Sequence, residues 1–319
     1  MPDVADTAPL CLMAVHAHPD DETFAGGIFG RYADEGVRTV LVTCTLGEEG
    51  EIVDPTMDAD AVRPRLGEVR TEELRCSVAA LGIKQLHLLG YRDSGMVNTP
   101  ANTHPLAFTN VDVEAAAARL VALVRAERPQ VLITYDPFGG YGHPDHIMAH
   151  RIATIAYESA GDAARFPVQP GEPGPWQPSK LYYIAWSRER MMELRQEVIA
   201  RGLPDPFARW ANAQENQAEN QEGGQEALAS SQGAESSGDD AGFVQPEAAI
   251  TTTVNVAPYF DRKLASMQCH RTQFSQENNF VLALPPDLAR AALSEESFTL
   301  AQSRVESARP EDDLFAGLR

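Results

Sequence analysis

The sequence predicts an α/β protein: a Rossmann-like, doubly wound, mostly parallel sheet with a smaller C-terminal subdomain. Three observations carry this. Residues 10–16 (LCLMAVH) and 37–45 (VRTVLVTCT) are largely apolar runs, as strands buried on both faces should be. Between them, residues 22–36 place Phe24, Ile28, Phe29 and Tyr32 close to helical spacing, which makes a strand–helix–strand unit with a right-handed crossover. Polar clusters then follow four of the predicted strands, at the edge where open parallel sheets hold their ligands.

The remaining elements follow in order. Residues 46–64 read as a long polar loop, and 65–81 as a helix that Gly82 stops. Residues 84–89 form the third strand, 111–127 an amphipathic helix, and 130–135 (QVLITY) the fourth strand. A glycine-rich turn at 136–142 leads into a helix that ends near residue 159. A Pro/Gly-rich connection, 167–178, precedes a strand at 181–186 and a helix at 188–201. Composition shifts at 211–247, a tract rich in Gln, Asn, Glu, Ser and Gly, which is expected to be a disordered acidic insertion. Strand character resumes at 250–256, with helices at 259–272 and 285–293 and a final strand at 298–303. The expected division is a catalytic α/β domain at 10–205, the insertion, and a C-terminal subdomain at 248–319 that completes the fold.

The chain has 319 residues and a formal net charge of −20, from 46 acidic and 26 basic residues. That balance argues against a general nucleic-acid or anionic-membrane surface, since both need clustered Lys and Arg. The first nine residues lack the basic start of a signal peptide, and no apolar run approaches the ~20 residues of a membrane helix. A cytoplasmic protein is expected. Cys11, Cys44, Cys76 and Cys269 show no C-x-x-C spacing and read as buried free thiols, not as a disulfide framework.

The chemistry collects around His18-Pro19-Asp20-Asp21-Glu22. Three adjacent acids repel one another and resist desolvation unless positive charge sits among them, and a divalent metal is the simplest source. His18 and Asp21 are three apart at a helix entry that Pro19 suits, so both can face one ion. His146, at the start of the helix after the fourth strand, supplies a third ligand. Two imidazoles and a carboxylate, with a position left for water, make a catalytic zinc arrangement; iron(II) stays open by residue type. Asp20 then serves as general base, the alternative for Asp20 alone being an acid at a helix N-terminus. Glu22 begins the helix. His143 and Tyr141 are candidates to stabilise an oxyanion or protonate a leaving amine, and Asp145 to orient a histidine. The other histidines read as structural. Gly26-Gly27 with Gly30 and Gly139-Gly140-Tyr141-Gly142 read as helix packing and a tight turn, because neither has the context of a nucleotide loop.

His18-Pro19-Asp20-Asp21-Glu22 paired with His143-Pro144-Asp145-His146 resembles the PIG-L/LmbE family of zinc-dependent N-acetylglucosaminyl deacetylases, over roughly residues 10–160. The runs 43–51, 92–96, 139–143, 261–263, 270–273 and 313–318 are similar to its mycothiol branch. That branch contains a deacetylase of N-acetylglucosaminyl-inositol and an amidase of mycothiol S-conjugates, and the motifs are most similar to the deacetylase. The resemblance implies zinc on His18, Asp21 and His146, Asp20 as base, and His143 and Tyr141 at the tetrahedral intermediate. It places Glu51, Arg70 and Asp93 near the sugar or its aglycone. The partner is then a small amino-sugar conjugate. Competing substrates are N-acetylglucosaminyl-malate and a thiol S-conjugate, and the rival of another class is a metal-stabilised binding protein without turnover.

Overall fold

The computed structural model describes residues 9–205, 244–277 and 279–319. The expected insertion at 211–247 lies, as far as residue 243, outside the described residues. Among the described residues, eight strands build one sheet: β1 Cys11–His16, β2 Arg38–Thr45, β3 Gln85–Tyr91, β4 Val131–Thr134, β5 Lys180–Ser187, β6 Val244–Gln245, β7 Thr252–Asn255 and β8 Glu295–Ser303. The order is β3-β2-β1-β4-β5-β8-β7, and β6 pairs with the end of β5. The first five strands are parallel, while β8 runs antiparallel to β5 and β7. The order reverses between β1 and β4, which opens a crevice beyond their carboxyl ends.

The strands form where β-branched and apolar residues run together. All six residues of β1 and all four of β4 are buried. Helix Leu66–Leu81 packs along helix Phe260–Cys269, which also contacts helix Gly26–Asp34; helices Val113–Glu127 and Pro144–Ser159 pack on each other. Right-handed crossovers on either side of the reversal put these two groups on opposite faces of the sheet. Gly82, at φ 74°, ends Leu66–Leu81 in the left-handed turn expected of it.

The segment expected as one helix over 22–36 is two: a 3₁₀ turn Asp21–Ala25, then α-helix Gly26–Asp34. Gly26 and Gly27 mark the junction, and a Cβ on Gly27 would stand 2.5 Å from Val256. The glycines therefore serve close packing against the C-terminal segment. Glu296 of β8 caps this helix from afar, accepting from Gly27 N at 2.7 Å and Ile28 N at 2.9 Å, and pairs with Lys263. Val254, Phe298, Leu314 and Phe315 belong to the same apolar core as β1 and β4.

The cysteine expectation is corrected in half. Cys11 and Cys44 are buried free thiols, but Cys76 and Cys269 form a disulfide with Cα atoms 5.7 Å apart. They are 193 positions apart in the chain, so no local spacing marks them; the packing of their two helices brings them together. Among the described residues no helix is long and apolar enough to cross a membrane.

Candidate metal centre

The centre lies in the crevice where the sheet order reverses. His18 and Asp21 leave the turn after β1, and His146 sits in the first turn of helix Pro144–Ser159 after β4. His18 Nδ1 is 3.3 Å from His146 Nε2 and 3.5 Å from Asp21 Oδ2, and His146 Nε2 is 3.5 Å from Asp21 Oδ1. Donors about 2.0–2.2 Å from a tetrahedral zinc stand roughly 3.3–3.6 Å from one another, so these spacings suit a shared ion.

The surroundings set which atoms face inward. His146 Nδ1 lies 3.1 Å from Gly139 O, which makes it the protonated nitrogen and leaves the Nε2 lone pair toward the centre. Gly139 has φ 70°, and a Cβ there would stand 2.8 Å from His146 Cβ and from Ile147 N, so glycine alone permits this approach. His18 Nε2 lies 3.3 Å from Asp145 Oδ2, which leaves Nδ1 as the inward lone pair. Two lone pairs and a carboxylate oxygen thus converge in a buried space, an arrangement that calls for a cation. The two imidazoles titrate in opposite directions. Against its burial, Asp93, Asp145 and Asp21 pull His18 well above its usual range. Burial lowers His146 to about 4. Two groupings bring ligand-type atoms within 4.8 Å of one another: His18 with His143 and His146, which adds a third imidazole beside the centre, and His18 with Asp93 and Asp145, which uses the other side of the His18 ring.

Asp21 is held from two directions. Its Oδ2 accepts from His18 N at 2.8 Å and from Tyr135 Oη at 2.7 Å, and the Tyr135 ring stacks on His146 with centroids 4.1 Å apart. Sequence reasoning missed Tyr135. Its only signal was a phenol closing an otherwise apolar strand at the reversal point. Asp145, fully buried, accepts from Ser94 N and Ser94 Oγ as well, which ties the turn after β3 to His18.

Asp20 sits at the lip, its side chain 19% exposed and 3.3 Å from Arg70 Nη2. Burial pushes its carboxyl up to about 7, against the pull of the Arg70 guanidinium. Its φ of 116° lies in the left-handed region that a residue with a Cβ avoids, a strain on the order of 1–3 kcal/mol that neighbours must hold. His143 caps the following helix by accepting from Asp145 N at 3.1 Å, which points Nε2 away from the helix. Burial, with the charges of His18 and His146, pushes its imidazole down to about 3, so it is neutral at physiological pH. Tyr141 is 46% exposed, with its ring edge-on to His146 at 4.9 Å.

Of the residues expected near a sugar, Arg70 is buried and bonds Pro19 O at 2.5 Å and Gly47 O at 2.7 Å, which locks the loops after β1 and β2 together. Asp93 lies beside His18, with Oδ1 3.8 Å from Nε2. Glu51 stands apart on the exposed loop, its backbone carbonyl bonded by Gln273. Glu22 stands where the helix was expected to begin, in the first turn of 3₁₀ segment Asp21–Ala25. It is fully buried and paired with His270 at 2.5 Å, a partner 248 positions away that adjacency to the helix start concealed.

A family model described as PIG-L, GlcNAc-PI de-N-acetylase, matches residues 13–157. The 1D-myo-inositol 2-acetamido-2-deoxy-alpha-D-glucopyranoside deacetylase of Geodermatophilus obscurus is 39% identical over 315 residues, covering 96% of this chain and 97% of that one. The mycothiol S-conjugate amidase of Streptomyces coelicolor is 36% identical over 319 residues, covering 98% and 99%. The 4-carboxy-2-hydroxymuconate hydratase of Pseudomonas putida KT2440 superposes with a TM-score of 0.58 at 17% identity, covering 94% and 99%, a likeness of fold alone.

Proposed function

The chain belongs to the PIG-L family of de-N-acetylases, and on that premise we propose that it hydrolyses the N-acetyl group of an N-acetylglucosaminyl conjugate. N-acetylglucosaminyl-inositol, in mycothiol biosynthesis, is the substrate that the relatives' names favour. The single observation that carries the chemistry is the convergence of His18, Asp21 and His146 at 3.3–3.5 Å.

These three residues would hold the metal, with zinc the ion that a two-histidine, one-carboxylate set favours and iron(II) second. When bound, the dication acidifies water and polarises the amide carbonyl. Asp20 takes the proton from the attacking water, and a group titrating near neutrality suits that work. Neutral His143 and the Tyr141 hydroxyl donate toward the oxygen that gains negative charge. The proton held by Asp20 then passes to the departing nitrogen, and acetate and the free amine leave. Asp145 keeps His18 oriented, Arg70 steadies Asp20, and Asp93 lines the approach for the sugar, which leaves Glu51, on the exposed loop, to the outer, aglycone side.

Asp20→Ala should lower kcat by roughly 10²–10⁴-fold while bound metal stays near one per chain, read by acetate release and elemental analysis. Undiminished kcat would remove Asp20 from the base role. The amidase relative supports a second reading, cleavage of a mycothiol S-conjugate on the same machinery. Parallel assays on N-acetylglucosaminyl-inositol, its malate counterpart and an S-conjugate decide between them: the highest kcat/KM is expected on the inositol compound.

A further inference from the structure

We propose that Glu22, clamped by His270 and Ser77, is the positioning residue that holds Asp20 in its catalytic conformation. The inference rests on the reading of Asp20 as base and deepens it.

The Asp20 peptide is gripped on both sides. Its N–H donates to Glu22 Oε2 at 3.0 Å, and its carbonyl accepts from Thr23 N at 3.0 Å and Thr23 Oγ1 at 2.7 Å. Through these bonds the residue stays at φ 116°. The other Glu22 oxygen, Oε1, accepts from Ser77 Oγ and pairs with His270 Nε2, and Ser77 Oγ lies 2.7 Å from Ser266 Oγ. Glu22, Ser77, Ser266 and His270 are all fully buried. A buried acid–histidine pair is a poor device for stability alone, because apolar residues of similar volume usually do as well. This one directs its second oxygen at the backbone of the base. Both anchors, moreover, directly follow a bridged cysteine, Ser77 after Cys76 and His270 after Cys269. The bridge thus ties together the two helices from which Glu22 is held.

Because Glu22 reaches Asp20 through its backbone N–H, and among the described residues none of the network's side-chain hydrogen bonds goes to His18, Asp21 or His146, its loss should act on the chemical step. Glu22→Gln, nearly isosteric, is expected to lower kcat tenfold or more, with KM and bound metal unchanged within twofold. In an Asp20→Ala background the same substitution should cause no further fall, since effects through one residue do not multiply. Kinetics, elemental analysis and thermal melts on the full-length, metal-loaded enzyme read these quantities. A kcat within twofold of the parent, an equal fall in both backgrounds, or a parallel loss of metal would each overturn the inference. If Asp20→Ala itself leaves kcat intact, the base reading falls and takes this one with it; if only Glu22→Gln is silent, the base reading stands alone. Should Glu22→Gln not melt cooperatively, Ser77→Ala, which removes one anchor, carries the same comparison with an expected three- to tenfold fall.

Discussion

Asp21 serves structure and chemistry at once, its Oδ2 also standing 3.5 Å from His18 Nδ1. Oδ2 is held by His18 N and Tyr135 Oη, and Oδ1 faces His146 Nε2. Tyr135→Phe keeps the ring stacked on His146 but removes the hydroxyl, so it should weaken metal binding by roughly 10–100-fold, as loss of a ligand's outer partner does. Chelator competition measures this directly, and an unchanged affinity would show that His18 N suffices. The three donors were legible in the sequence because His18 and Asp21 share a turn and His146 opens a helix at a strand end. Tyr135 and His270 were not. One ends a strand whose facing residues the sequence does not reveal, and the other pairs with Glu22 across 248 positions.

At the scale of elements, parallel strands announced themselves by unbroken apolar character, and their order placed the polar clusters together. What stayed hidden was how the C-terminal segment reaches back. Glu296 caps helix Gly26–Asp34 and neutralises Lys263, and both side chains are nearly inaccessible. Glu296→Ala would strip a buried cation of its counter-charge, leaving Lys263 Nζ with Phe24 O at 3.3 Å, and would take the acceptor from two helix N–H groups. It should cost about 3–5 kcal/mol of stability in urea titrations, and a loss under 1 kcal/mol would mean that water enters to replace it. Glu311 works similarly at β5, accepting from Lys180 Nζ at 2.7 Å and Thr252 Oγ1 at 2.8 Å, and bonding Tyr182 and Ser307. Burial raises its carboxyl, but these donors outweigh burial and hold it below the usual 4.5. A depressed folded pKa gives stability that is present above the unfolded value and lost as pH falls through the folded one. The stability gap between the parent and Glu311→Gln should therefore be fully present well above the unfolded value of about 4.3 and narrow as the pH falls below it. A gap independent of pH in parallel melts would refute the assignment.

Across the whole molecule, N- and C-terminal halves share one sheet through β5 and β8 and one core through Phe298, Leu314 and Phe315. Charge and composition indicated neither this nor the Cys76–Cys269 bridge, since both depend on contacts between distant segments. Closing a loop of this span restricts the unfolded chain by roughly 5 kcal/mol. A strong dithiol reductant should lower the melting temperature by about 5–10 °C. The Cys76→Ser/Cys269→Ser variant should melt at that lower temperature with or without reductant, and a parent indifferent to reductant would show that the bridge does not form.

The bridge also makes most of the chain a covalent ring. Residues 206–243 lie inside it, between the two cysteines. Once cut between the two cysteines, the backbone would be broken without dividing the molecule, giving a single band on a denaturing gel until reductant is added and two bands afterwards. The nicked protein should keep its cooperative melt, because β5 and β8 lie on opposite sides of the cut and remain paired. For this protein, the continuity of the polypeptide and the integrity of the molecule are separate properties.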